Sequence, residues 1–260
     1  FEKNNRYGAA FVPRLALTKK IENFHFKILY SHAFRAPSIE NIQSSGGTIK
    51  PEKSGITELE LGYQFTPSML LAVNAYTIVT RDVIIYFTAG DDGTGSEEMY
   101  MNFEKSGTHG VELIYSLRQK NWYTSLTYSL SRAIDGNTVD NYRVPQTSKQ
   151  YIAFPMHKIT LNNTINITPR LSFNTTAVYG SKRYAYTSLN DDAEPVVNTL
   201  DPYTLINGFI NYKNLFSSGL TVGGGAYDIF NSSPDIPQAY NGGTAPIPGR
   251  GREYVVKLSY

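Results

Sequence analysis

The sequence predicts an all-β chain, an antiparallel transmembrane β-barrel, on three observations. Short segments alternate apolar and polar side chains with period two. The links between them run short, long, short, long to the aromatic last residue, Tyr260. The chain is also rich in aromatics without being apolar overall: 20 Tyr and 13 Phe stand against 1 Trp, in a chain only 41% hydrophobic. A barrel strand shows lipid only at every second residue, and bacterial outer-membrane barrels carry short periplasmic turns and long external loops.

Eleven strands are expected, at 7–18, 24–31, 56–65, 69–87, 98–117, 122–131, 157–167, 171–180, 203–213, 220–228 and 252–260. Pro13 blurs the start of the first, because proline cannot donate to a ladder. In the second, Phe24, Phe26, Ile28 and Tyr30 alternate with His25, Lys27 and Ser31. Leu59, Leu61, Tyr63 and Phe65 alternate with Glu58, Glu60 and Gln64 in the third. The fourth is apolar on both faces, with Asn74 marking the inner one. Val111, Leu113, Tyr115 and Leu117 define the fifth, and Trp122, Leu126, Tyr128 and Leu130 the sixth. Ile159, Leu161 and Ile165 define the seventh; Leu171, Phe173, Ala177 and Tyr179 define the eighth. Gly223, Gly224 and Gly225 interrupt the tenth, where a close backbone approach or a bend is expected. Tyr254, Val256, Leu258 and Tyr260 alternate with Glu253, Lys257 and Ser259 in the last.

The short links are 19–23, 66–68, 119–121, 168–170 and 214–219, and the long ones 32–55, 88–97, 132–156, 181–202 and 229–251. The face away from lipid carries Glu, Lys, Arg, Asn, Ser and Thr, which implies a solvated or plugged lumen. A soluble β-sandwich would have loops of similar length at both ends. An odd strand count leaves the chain ends on opposite sides, whereas single-chain bacterial barrels have even counts. Eleven is half of 22, the number associated with plugged outer-membrane transporters. Residues 1–260 are therefore expected to form the C-terminal half of a 22-stranded barrel, with a plug domain upstream. No secretory signal opens the chain, so either a leader was removed or residue 1 is not the native start.

Net charge of +2 with mixed signs gives no nucleic-acid footprint. The absence of Cys suits an oxidising compartment. No nucleophile elbow, phosphate loop, His-Glu-x-x-His pair or Cys cluster is present. The four His residues (25, 32, 109 and 157) are scattered, so structural roles are expected and no metal or cofactor is assigned. The acidic stretch 91–98 offers oxygen ligands for calcium but lacks EF-hand spacing, and a solvated loop is the favoured reading. Glu58 and Glu60 share the lumen face, yet nothing supports them as an acid–base pair, so the chain is not expected to be an enzyme.

Ligand selection belongs on the long loops. There Arg supplies charge and forked donors, and Tyr supplies rigid area and a hydroxyl. The candidates are Arg35, Tyr142, Arg143, Arg183, Tyr184, Tyr186, Tyr240 and Arg250. An extracellular small molecule, either an anionic chelate or a glycan-like solute, would suit such a surface.

At this point the residues resemble a known family. The segment Tyr30-Ser31-His32-Ala33-Phe34-Arg35-Ala36-Pro37-Ser38 is similar to a strand top of TonB-dependent outer-membrane receptors. So are Lys50-Pro51-Glu52-Lys53-Ser54 before Glu58-Leu59-Glu60, and Asn102-Phe103 with Gly107, Gly110, Val111 and Glu112. Pro155 with His157-Lys158, Tyr227-Asp228-Ile229-Phe230-Asn231 and Pro248-Gly249-Arg250-Gly251-Arg252 complete the series in family order. The resemblance implies a bacterial outer-membrane location, lipid contact, and uptake of a scarce solute. A ferric siderophore is the first expectation, then cobalamin or an oligosaccharide. It implies energy from a TonB complex through a segment outside this sequence. The stretch 45–50 lacks the Asn-Pro box of haem receptors, and no His lies between Pro37 and Lys53, so haem is disfavoured.

Two other readings compete: a passive porin-like channel and a soluble β-rich binding domain. By the same resemblance, Tyr254, Val256, Leu258 and Tyr260 form the signal read by the barrel-assembly machinery. Deleting Tyr260 is expected to lower the amount of assembled protein in the outer membrane. Gel mobility before and after heating measures the folded fraction.

Overall fold

The computed structural model describes all residues except 1, 6–7, 89–97, 140–141, 193–194, 218 and 239–244. In chain order the elements are β1 (Glu2–Asn4), β2 (Gly8–Ala10), β3 (Arg14–Ile21), β4 (Phe24–Arg35), α1 (Ile39–Ser44), β5 (Glu52–Thr66), β6 (Met69–Thr88) and β7 (Glu98–Arg118). They continue with β8 (Trp122–Ala133), β9 (Arg143–Val144), β10 (Thr147–Tyr151), β11 (His157–Asn166), β12 (Leu171–Gly180) and β13 (Arg183–Leu189). The chain ends with β14 (Pro195–Leu200), β15 (Tyr203–Leu215), β16 (Leu220–Tyr227) and β17 (Glu253–Ser259). Eleven of these form one antiparallel sheet in the order β17-β16-β15-β12-β11-β8-β7-β6-β5-β4-β3. These are the eleven strands expected, most with ends moved by up to four residues and the first with a larger shift. The first starts at Arg14 rather than residue 7, directly after Pro13, and residues 2–10 make a separate hairpin, β1–β2.

Cross-strand register aligns the apolar positions into continuous rows. Leu17, Ile28, Leu59, Ala75, Val111 and Leu130 are successive partners from β3 to β8. Phe26, Leu61, Val73, Leu113, Tyr128, Ile159 and Tyr179 form the next row, from β4 to β12. Because side chains alternate faces, all of these lie on one side of the sheet. Many remain exposed, Leu17 at 67% and Leu59 at 54%, as a lipid-facing surface requires. The turn end of this face adds an aromatic girdle: Phe24 and Phe65 each pack on Tyr63 at 4.7 Å between ring centroids.

The opposite face is polar and internally bonded. Lys27, Glu60, Asn74, Glu112, Ser129 and Lys158 are successive partners there. Glu60 meets His25 at 3.0 Å, Glu58 meets Lys27 at 3.7 Å, and Ser129 donates to Glu112 at 3.2 Å. Glu58 thus pairs with the Lys27 cation, and Glu60 hydrogen-bonds the His25 ring, on the lumen wall.

Close approach explains several lumen-facing glycines. His25, Tyr76 and Tyr203 each lie across the glycine directly opposite in the ladder: Gly62, Gly110 and Gly180. A Cβ on Gly180 would sit 2.3 Å from the Tyr203 ring. The interruption at Gly223 and Gly225 has the same cause, since the Phe209 ring covers both.

The long links are structured. The 36–51 link contains α1, whose Ser38 cap and Asn41 bond reciprocally at 3.1 and 2.9 Å. Asn102 then ties this link to the wall through Lys50 and the Asp82 carbonyl. The 134–156 and 181–202 links fold into the hairpins β9–β10 and β13–β14. The link after β16 is closed by Asp228, which accepts from the Ser232 and Ser233 amides, each at 2.9 Å. Ser233 donates to Gly249 at 2.7 Å, and Ile236 bridges Ile247. Asp228 is 5% exposed, shielded by its own turn rather than by a core.

Two predictions follow from these contacts. Gly180→Ala is expected to cost about 1–3 kcal/mol by forcing the Tyr203 ring off β12, and the cost should shrink when Tyr203 is already Ala; denaturant unfolding of the purified barrel measures both. The second concerns pH. The Ser233 amide first, against the opposing effect of burial and with smaller help from Ser232 and the Arg252 charge, holds the Asp228 carboxylate below its usual range. Such a group contributes stability that is fully present above about pH 4 and lost as pH falls through its folded value. Limited proteolysis in 229–252 should therefore accelerate in acid, and Asp228→Asn should show severalfold faster cleavage already at pH 7.

Candidate functional site

The mouth on the long-link side is built by the β9–β10 hairpin folding onto the polar face of β5, β6 and β7. One side chain anchors it. The Tyr151 hydroxyl takes the Gly107 amide at 2.9 Å, donates to the Gly107 carbonyl at 2.5 Å, and lies 3.2 Å from the Ser106 hydroxyl. Backbone bonds from Ile134 to Gly107 and from Thr138 to Lys105 extend the wall beneath it. Val139, fully buried, packs on Val83, Ile85 and Phe103.

Next to this anchor is an ion pair. Glu52, at the start of β5, accepts from Arg35 Nε at the end of β4 and from the Ile84 amide at 2.7 Å. Arg35 Nη2 also reaches the Ile84 carbonyl at 3.4 Å. Tyr142 stands edge-on to Tyr151, with centroids 6.2 Å apart. Burial first, then the Glu52 charge, pushes the Tyr142 hydroxyl above its usual range, while Arg35 pulls it back. The hydroxyl is therefore neutral at pH 7 and can donate a hydrogen bond.

A cavity of about 400 Å³ lies between hairpin and wall. Its lining includes Glu52, Ser54, Thr80, Ser106, Tyr142 and Phe154. A second, of about 460 Å³, shares Tyr151 and Phe154 and continues to Glu112, Lys158 and Tyr203. A third, of about 730 Å³, lies on the hairpin's other side and is lined by Arg143. The walls are dense in hydroxyls, carry mixed charge, and have one aromatic flank. Such a lining can hydrogen-bond a polar solute without fixing it tightly.

The β13–β14 hairpin leans on the first. Val144, Ile152 and Tyr184 form a buried apolar cluster, flanked by Ala153, Tyr186 and Val197. The Ala153 amide donates to the Tyr184 carbonyl at 2.7 Å, and Gln146 donates to Val197 at 2.9 Å.

The structure thus gathers Arg35, Tyr142 and Arg143 around one hairpin. Arg183 and Tyr184 are only 7% and 5% exposed. Arg183 stacks 4.5 Å over Tyr203 and ties its hairpin to the wall strand β15, while Tyr184 fills the cluster shared by the two hairpins. Tyr186 packs beside them, with burial pushing its hydroxyl up. Arg250 lies on a separate link, 3.5 Å from Glu253. Tyr240 and the acidic stretch 91–97 fall outside the described residues. Tyr254, Val256 and Leu258 line the lipid-facing side of β17, and Tyr260 is fully exposed beyond it. Among the described residues no group of three or more His, Asp or Glu is placed to hold a metal ion. Sequence reasoning missed Tyr151, Phe154 and the ring of hydroxyls. The turn signal Pro145-Gln146 between short polar runs was the available clue to the hairpin that carries Tyr151.

No curated protein matches the sequence. Solved structures do. The ferripyoverdine receptor of the Pseudomonas aeruginosa outer membrane is similar over 96% of this chain, with a TM-score of 0.73 and 13% identity. A variant of the ferric enterobactin receptor of the same organism covers 98%, with a TM-score of 0.74 and 16% identity. The ferric-catecholate import receptor of Escherichia coli K12 covers 94%, with a TM-score of 0.71 and 18% identity. The chain spans 33%, 40% and 34% of those proteins, respectively. At such identities the likeness is one of fold. The sequence itself matches the family model for the TonB dependent receptor-like β-barrel over residues 1–229. The chain belongs to the TonB-dependent receptor β-barrel family.

Proposed function

We propose that this chain is barrel wall and mouth of a bacterial outer-membrane receptor that takes up a scarce solute, a ferric siderophore before cobalamin or an oligosaccharide. The observation that carries the reading is the hydroxyl-lined chamber under the β9–β10 hairpin, set at the mouth of a wall that is apolar outside and polar inside. The solved relatives are described as receptors for ferric siderophores, which supports that solute class. The barrel, residues 1–260, supplies path and capture surface. An upstream plug would gate it, and a TonB complex acting through an upstream segment would supply the energy. The chain works in transport, with no catalytic role.

Capture follows from the chemistry of the mouth. Neutral Tyr142 offers a hydroxyl and a flat face, and Arg143 a forked cation, to an anionic chelate. Arg35, held by Glu52, shapes the chamber beside them. Arg250 lies on the link after β16 and would approach the solute from another side.

The test is direct binding of a ferric siderophore panel to the full receptor in detergent, with metal-free siderophores, cobalamin and an oligosaccharide alongside. Saturable binding of one ferric chelate is expected, weakened roughly tenfold by a double change, Tyr142→Ala with Arg143→Ala, in line with about 1–2 kcal/mol for a mouth contact. Steady conductance in planar bilayers without any bound solute would replace this reading with a passive channel.

A further inference from the structure

The row of lumen-facing partners that contains Glu112, Ser129 and Lys158 runs on through Gly180 to Tyr203. Because Gly180 has no side chain, the Tyr203 ring lies across it, in the direction of β11 and Lys158. Neighbouring strands are about 4.8 Å apart, so the ring ends close to the Lys158 backbone. Arg183, at the start of β13, stacks over the same ring, its guanidinium carbon 4.5 Å from the centroid. One aromatic ring thus stands between two cations drawn from different strands.

Neither cation has a counter-charge. Among the described residues no Asp or Glu forms an ion pair with Arg183 or Lys158, and this includes Asp201, next to the Arg183 partner Leu200. Glu112, on the same row, accepts from Ser129 at 3.2 Å. Lys182, beside Arg183 in the chain, adds a third positive charge and rests 5.7 Å over the Tyr184 ring. Arg183 is only 7% exposed, and its Nε is buried without a hydrogen-bond partner. Burying a cation is costly unless it is paired and hydrogen-bonded. The face of Tyr203 offsets only a modest part of that cost. The orphaned Nε also matters for geometry, because Nε with one Nη makes the edge on which a guanidinium grips two oxygens at once.

We propose that Arg183, Lys158 and Tyr203 form an oxyanion-binding site on the lumen wall at the inner end of the mouth, for a carboxylate or a phosphate group. The cavity of about 460 Å³ supplies the space, since Lys158 and Tyr203 both line it. Gln150, in the same lining, donates to the Lys182 carbonyl at 3.0 Å and so ties the Arg183 backbone to the cavity edge. Tyr203 holds the guanidinium plane, and Arg183 gives the forked donors. Lys158, exposed on β11, adds a second charge on a flexible stem. The same chemistry has two sources, a free anion of the medium or an acidic group carried by the solute. The site stands on the wall geometry; only the second source rests on the uptake reading.

The test titrates the full receptor, purified in a mild non-ionic detergent, with inorganic phosphate and with acetate, and reads binding by calorimetry. Saturable binding of both anions is expected. Arg183→Gln should weaken it about tenfold to a hundredfold, the loss expected for hydrogen bonds to a charged group. Lys158→Gln, which alters only an exposed side chain, should weaken it by a smaller factor. Arg183→Lys should restore part of it, keeping the charge without the fork. Heat-shifted gel mobility shows that each variant is folded. Ferric chelates with and without a free carboxylate then separate the sources. Competition by phosphate against the carboxylate-bearing chelate alone assigns the site to the solute, and undisturbed binding of both chelates assigns it to a free anion. Equal anion binding by the unaltered and Arg183→Gln proteins, or no saturable binding of either anion, would overturn the proposal. Anion binding without binding of any ferric chelate would support the site and count against the uptake reading alone.

Discussion

Backbone pairing in the absence of water is the constraint on which the rest of this structure depends. Inside hydrocarbon every amide and carbonyl must find a partner in the neighbouring strand. The ladders from β3 to β17 meet that demand with long, nearly unbroken registers. Register in turn fixes which residues see lipid, since a slip of one position would exchange Leu59 and Leu61 for Glu58 and Glu60. The glycines opposite His25, Tyr76 and Tyr203 reinforce the choice. A large ring lies flat only where its partner has no side chain.

That constraint also explains how much the sequence disclosed. A lipid-facing strand has to alternate, so Phe24 to Tyr30 or Tyr254 to Leu258 can be read without a structure. The short turns are equally legible, because long loops occupy only the other end. Legibility fails where the chain leaves the membrane. There water can satisfy the backbone, periodicity is no longer enforced, and the hairpins β9–β10 and β13–β14 carry little signal. The candidate site suffered most. Arg183 and Tyr184 resemble ligand residues by composition, yet their burial depends on residues tens of positions away, Tyr203 and Ile152. Tyr151 passed unnoticed for the converse reason: its partners at Ser106 and Gly107 lie on another strand.

Function is divided along the same line. The wall is stiff because its contacts are backbone bonds, and it can present the Arg35–Glu52 pair at a fixed place. The mouth is assembled from side chains, with Tyr151 as a polar anchor between hairpin and wall. Fixed scaffold and adaptable rim are the arrangement expected when the path is common to a family and the solute is not.

The cluster of Val144, Ile152 and Tyr184 joining the two hairpins has a thermal consequence. Its cohesion comes from apolar burial against water, which weakens on cooling. The wall's hydrogen bonds, made in hydrocarbon, have no such dependence. Cold therefore loosens the rim while the wall keeps its shape, and the mouth of this barrel is its temperature-sensitive part.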